Sequence, residues 1–94
     1  MQVLLVAATP FEIAPTISWF EKTFGTDGNG RFVKAGLDVQ VCITGVGMLN
    51  TSWNLAHYFA TQKPDFAINA GIGGAIDKNL NLGDVRLIAS ERIA

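Results

Sequence analysis

The chain has 94 residues, a net charge of −1, 49% hydrophobic residues and 16% charged ones. That length holds at most one small domain, and the lack of a basic excess argues against a nucleic-acid partner. No segment approaches the roughly 20 apolar residues of a membrane span, so no membrane partner is expected. Small domains bury a smaller share of their surface than large ones. So apolar a chain of this size points to faces that need more protein: a further part of the domain, a partner subunit, or both. No Lys or Arg precedes the apolar run at residues 3–8, so the run reads as a strand and not as a signal peptide. The single Cys42 forms no internal disulfide, and a cytosolic location is the default expectation.

Residues 3–8 (VLLVAA) form a short continuous apolar run, as expected of a parallel strand buried on both faces. Ile13, Ile17, Phe20 and Phe24 follow at helical spacing, with Pro15 early enough to mark where the regular helix begins. Residues 25–30 (GTDGNG) are rich in turn formers and read as a loop. Residues 31–34 and 37–44 read as strands, and Ala35-Gly36 between them is short enough for a hairpin. A second helix is expected over about residues 50–62, ended by Pro64. Residues 66–70 (FAINA) read as another buried strand, and residues 84–93 as the start of a further one. The order β-α-β-β-α-β-β implies an α/β sheet.

In such sheets ligands sit beyond the carboxyl ends of the strands, which singles out three segments. In Thr9-Pro10-Phe11-Glu12 the structural reading is a capping box. The functional reading is a carboxylate placed at a strand end to act as acid or base. One residue can serve both ends, because a capping position holds a side chain still. In Gly45-Val46-Gly47 the choice lies between a tight turn needing φ > 0 and a backbone left open to a ligand. The dinucleotide fingerprint is incomplete, because Asn50 stands where its third glycine would be. Gly71, Gly73 and Gly74 fall within four residues, more than one turn needs. They imply either a crowded crossing of chain segments or a backbone exposed to a planar ligand.

Other residues are better read structurally. His57 is the only histidine and sits mid-helix, a packed or surface residue and not a metal ligand. Cys42 reads as a small core residue. Trp19 and Trp53 read as packing or subunit-interface residues, and Asp77, Asp84 and Glu91 as turn and surface charges.

Taken together and in order, residues 3–12 (VLLVAATPFE), 44–48 (TGVGM), 65–75 (DFAINAGIGGA) and 82–85 (LGDV) resemble the nucleosidase branch of the purine nucleoside phosphorylase family. The wording TGVGM with INAGIGG is most similar to futalosine hydrolases, which act in an alternative menaquinone pathway. Methylthioadenosine/adenosylhomocysteine nucleosidases come next. The resemblance implies a phosphorylase/hydrolase-like mixed sheet flanked by helices, of which residues 1–94 form the N-terminal portion. It also implies a small purine nucleoside as partner. The apolar composition fits a homo-oligomer, and neither cofactor nor metal is expected. Glu12 matches the glutamate that helps to activate the attacking water, and Thr9 a position close to the ribose. Val46 matches an apolar residue near the 5′ substituent. Gly71, Ile72, Gly73 and Gly74 match the segment passing beside base and ribose, with Gly74 nearest the base.

The departures from the family pattern carry information too. One phosphorylase branch holds phosphate with an Arg and a Ser where this chain has Asn69 and Ile72. Neither offers phosphate a cation or a hydroxyl, and an Ile there leaves charge poorly compensated, so the resemblance implies water as the nucleophile. Ile72 also replaces a Ser of methylthioadenosine nucleosidases, which favours futalosine. The family's purine-protonating aspartate and ribose-holding Met-Glu pair have no match in these 94 residues, so no turnover is expected of them alone.

Overall fold

The computed structural model describes residues 1–25 and 28–92. Strand β1 (Gln2–Ala7), helix α1 (Ala14–Phe24), strands β2 (Arg31–Lys34) and β3 (Leu37–Ile43), helix α2 (Met48–Thr61) and strand β4 (Phe66–Asn69) follow in chain order. They build a mixed four-stranded sheet of order β2-β3-β1-β4. β1 pairs in parallel with β3 on one side and β4 on the other, while β2 and β3 pair antiparallel. Thr26, Asp27 and Ile93, parts of the expected loop and last strand, lie outside the described residues.

The most apolar segment takes the middle of the sheet, where both faces can be covered. Leu4, Leu5, Val6 and Ala7 are all buried. Leu5 and Ala7 join Ile13, Phe32 and Val39 in one cluster, flanked by Ile17, Phe20 and Phe24 of α1. The helical stripe expected from spacing is thus the stripe that packs. Phe20 and Phe32 stack with ring centroids 5.2 Å apart. Leu4 and Val6 alternate to the other face. There α2 turns Thr51, Asn54, Leu55 and Tyr58 inward as its partly buried side.

Between β2 and β3, Ala35 and Gly36 both take positive φ, 50° and 83°, as a two-residue hairpin turn of right-handed twist requires. At the amino end of the sheet Asp65 docks β4 beside β1. Its carboxylate accepts the Gln2 N–H at 2.8 Å, and its own N–H donates to the Gln2 carbonyl at 2.8 Å.

Helix α1 starts at Ala14, where Pro15 marks the expected beginning of the regular helix, but without a side-chain cap; residues 10–13 form a turn, so Thr9 is not its N-cap. Three further elements differ from the sequence reading. Helix α2 starts two residues early, at Met48, directly after Gly47. Within the described residues no strand forms over 84–92. A strand exists only by pairing, and Val85 and Leu87 stand more than 90% exposed with no neighbouring strand. Strand β4, expected to be buried, is exposed at all four residues because its outer edge and both faces lack cover.

Candidate functional site

Three chain segments leave the carboxyl ends of neighbouring strands side by side. The Thr44 N–H donates to the Ala7 carbonyl at 3.0 Å, and the Ala70 N–H donates to the Val6 carbonyl at 2.8 Å. The ends of β3 and β4 are therefore pinned to the end of β1. Thr9 and Glu12 follow β1, Val46 follows β3, and the glycine-rich segment follows β4.

Glu12 is the focus. Its Oε2 accepts the Thr9 hydroxyl at 2.9 Å and the Thr9 N–H at 3.1 Å. The Glu12 N–H donates back to Thr9 Oγ1 at 3.4 Å. Its other oxygen, Oε1, accepts the Ile72 N–H at 3.3 Å, across 60 residues of sequence. Hydrogen bonds to the charged form favour it. The Thr9 hydroxyl above all, then the Ile72 amide, hold the Glu12 carboxyl below the usual glutamate range against an opposing effect of burial, and the Thr9 amide adds a smaller lowering influence. The group is an anion at neutral pH, fixed in orientation by two strand ends.

Thr9, Glu12, Gly71 and Ile72 are thereby brought into one place. The glycines differ in why they are glycines. A Cβ on Gly71 would stand 3.2 Å from Glu12 Oε1, whereas Gly73 and Gly74 have open space around them. The crowding anticipated for this segment is real at Gly71 alone, and Gly73 and Gly74 leave the backbone bare. In the Gly45-Val46-Gly47 turn both glycines do take positive φ, 82° and 94°. There the Asn50 side chain donates to the Val46 carbonyl at 2.9 Å. Asn54 holds the preceding residue by donating to the Thr44 carbonyl at 2.8 Å. Asn50 and Asn54 lie outside the strand-end residues that the sequence points to, yet an Asn in the first turns of a helix that follows a glycine turn is a signal for such bonds. Val46 and Ile72 project into the open, 70% and 78% exposed.

Of the residues read structurally from the sequence, His57, Asp77 and Asp84 have hydrogen-bond partners. His57 Nδ1 lies 3.0 Å from the Trp53 carbonyl one turn earlier, and its ring leans on the indole at 4.6 Å. Cys42 is partly buried, and burial pushes its thiol up, away from reactivity. Asp77 and Asp84 accept local backbone N–H bonds from Asn79 and Asn81. Among the described residues no group of three or more His, Cys, Asp or Glu could hold a metal ion, and no described helix is long and apolar enough to cross a membrane. A cavity of about 380 Å³ lies on the α2 side of the sheet, lined by Gln2, Asp38, Gln40, Tyr58 and Gln62 among others. It includes none of the strand-end residues.

Residues 2–91 match the model of the phosphorylase superfamily, and the chain belongs to that family. It is 27% identical over 96 residues to a 5′-methylthioadenosine/S-adenosylhomocysteine nucleosidase of Maridesulfovibrio salexigens, covering 97% of this chain and 41% of that protein. It is 36% identical over 64 residues to the enzyme of the same name from Staphylococcus carnosus, covering 65% of this chain and 28% of that protein. A Staphylococcus aureus enzyme of that name is 42% identical over 50 residues, covering 51% of this chain and 22% of that protein. The chain thus spans less than half the length of these relatives. No solved structure matches it.

Proposed function

We propose that this member of the phosphorylase superfamily acts, in its intact form, as a purine nucleosidase in which Glu12 activates the attacking water. The carrying observation is the Glu12 carboxylate, ionised and held by Thr9 and the Ile72 N–H at adjoining strand ends. Hydrolysis joins a water oxygen to C1′ of the ribose and breaks the bond from C1′ to the purine nitrogen. The bond's electron pair leaves with the purine, and the water proton passes to Glu12. Positive charge builds on the ribose and negative charge on the purine, so the reaction needs a base at the water and an acid at the leaving base. Glu12 supplies the first. The second falls to residues beyond these 94, which are proposed to form the N-terminal portion of one longer nucleoside phosphorylase-like domain. Exposed Phe66, Ile68, Leu82 and Val85 support that, since so much bare apolar surface calls for cover. Homo-oligomerisation belongs to the same proposal, and size-exclusion chromatography of the intact protein over a dilution series tests it.

Water, not phosphate, is the proposed nucleophile, because Asn69 and Ile72 bring no cation or hydroxyl to the glycine segment. For the substrate, the resemblance of TGVGM and INAGIGG favours futalosine. A second reading, 5′-methylthioadenosine or S-adenosylhomocysteine, has support from the names of the relatives. The test is incubation of the intact protein with futalosine, methylthioadenosine and inosine, with and without phosphate, following free purine by chromatography. Hypoxanthine from futalosine without phosphate supports the first reading, and adenine from methylthioadenosine the second. Release that depends on phosphate overturns the choice of water, and no release from any of them overturns the nucleosidase reading.

A further inference from the structure

Thr9 and Glu12 have the spacing of a capping box, yet they cap no helix. Helix α1 begins at Ala14, its N-cap position is Ile13, and no side chain bonds there. The reciprocal bonds between Thr9 and Glu12 therefore hold a side chain and not a helix end. An ionised carboxylate offers about two acceptor sites on each oxygen. Both sites of Oε2 are taken, by the hydroxyl and the amide of Thr9. Among the described residues Oε1 takes one bond, from the Ile72 N–H, which leaves one of its sites open. Beside Oε1 stands Gly71, where a Cβ would sit 3.2 Å away. The single proton of the Thr9 hydroxyl is already committed to Oε2.

We propose that Thr9 is a positioning residue for Glu12: with the Ile72 N–H it clamps the carboxylate across the ends of β1 and β4, so that Oε1 alone, beside Gly71, meets the water. The inference rests on the reading of Glu12 as the water-activating group and adds which oxygen works and what aims it. Thr9 acts on the ribose side of the site through Glu12. The carboxyl titration agrees with this, since the Thr9 hydroxyl is the largest influence lowering it.

The experiment uses the intact protein with Thr9→Val, Thr9→Ala, Thr9→Ser and Glu12→Gln variants. The carboxyl of Glu12 is titrated by carbon NMR without ligand, and kcat, KM and the pH profile are measured with futalosine and methylthioadenosine. Loss of one hydrogen bond to a charged group should lower kcat roughly 10- to 100-fold in Thr9→Val, with KM little changed. The Glu12 titration and the acid limb of the profile should move up towards the usual glutamate range. Thr9→Ser should restore both. Thr9→Ala, which removes the hydroxyl without adding a methyl, should repeat the result if Thr9→Val does not fold. An unmoved titration in Thr9→Val or Thr9→Ala overturns the clamp, and so does a Thr9→Ser variant that behaves like Thr9→Val. A rise in KM at constant kcat also overturns it, because Thr9 would then touch the substrate itself. Wild-type turnover by Glu12→Gln sinks the reading of Glu12 instead, and the ligand-free titration still decides whether Thr9 holds the carboxylate.

Discussion

Gly71 lies against Glu12: a Cβ at position 71 would stand 3.2 Å from Oε1. The φ of Gly71 is not in the positive range, so alanine is conformationally acceptable there and the conflict is with the carboxylate alone. Gly71→Ala should leave the melting temperature nearly unchanged while lowering kcat roughly tenfold, since displacing an aligned group by a fraction of an ångström weakens catalysis. Thermal unfolding and steady-state kinetics on the intact protein check both halves. A large loss of stability with normal kcat would mean that Gly71 serves folding.

Glu12→Gln keeps the size and some of the hydrogen bonding of the side chain but removes its basicity. General-base catalysis contributes about 10²–10⁴-fold, so kcat should fall within that range. Nucleoside affinity, measured by calorimetry, should stay within a few-fold.

Phe32 is 2% exposed and anchors the α1 face of the sheet by stacking on Phe20. Phe32→Ala should destabilise the intact protein by about 3–5 kcal/mol. Phe32→Leu, which refills most of the space, should cost less. Urea unfolding orders the two variants, and equal costs would show that the site collapses around the loss.

The carboxylate of Asp38 accepts two bonds from Arg31, at 2.9 and 2.6 Å, and these hold Asp38 below the usual aspartate range. A depressed carboxyl contributes stability that is present above its unfolded pKa and lost as pH falls through the lower folded one. Arg31→Gln should therefore cost about 0.2–1 kcal/mol near neutral pH, as exposed pairs do, and the gap to wild type should close in acid. A double-mutant cycle with Asp38→Asn isolates the pair from the other contacts of Arg31. A gap that persists in acid would mean that the pair is not its source.

Much of this molecule was legible from local sequence. The apolar run at residues 3–8 became the central strand, because a segment without polar faces is stable only where both are covered. Ile13, Ile17, Phe20 and Phe24 face the core, Ala35-Gly36 makes the hairpin turn, and the glycines at 45 and 47 take the left-handed conformation that a tight turn requires. Such features follow from side-chain periodicity and backbone sterics within a few residues.

What the sequence could not decide by itself involves partners far along the chain. The order β2-β3-β1-β4 depends on which edges pair. The absence of a strand over 84–92 depends on there being no neighbour among the described residues to receive its hydrogen bonds. The Thr9–Glu12 pair had the spacing of a helix cap, but only the folded sheet set the Ile72 amide against Oε1 and Gly71 beside it. The sequence determined that a carboxylate would stand at the end of β1. The tertiary structure decided which groups hold it, because hydrogen bonds between residues 60 apart exist only once the sheet has brought the strand ends together.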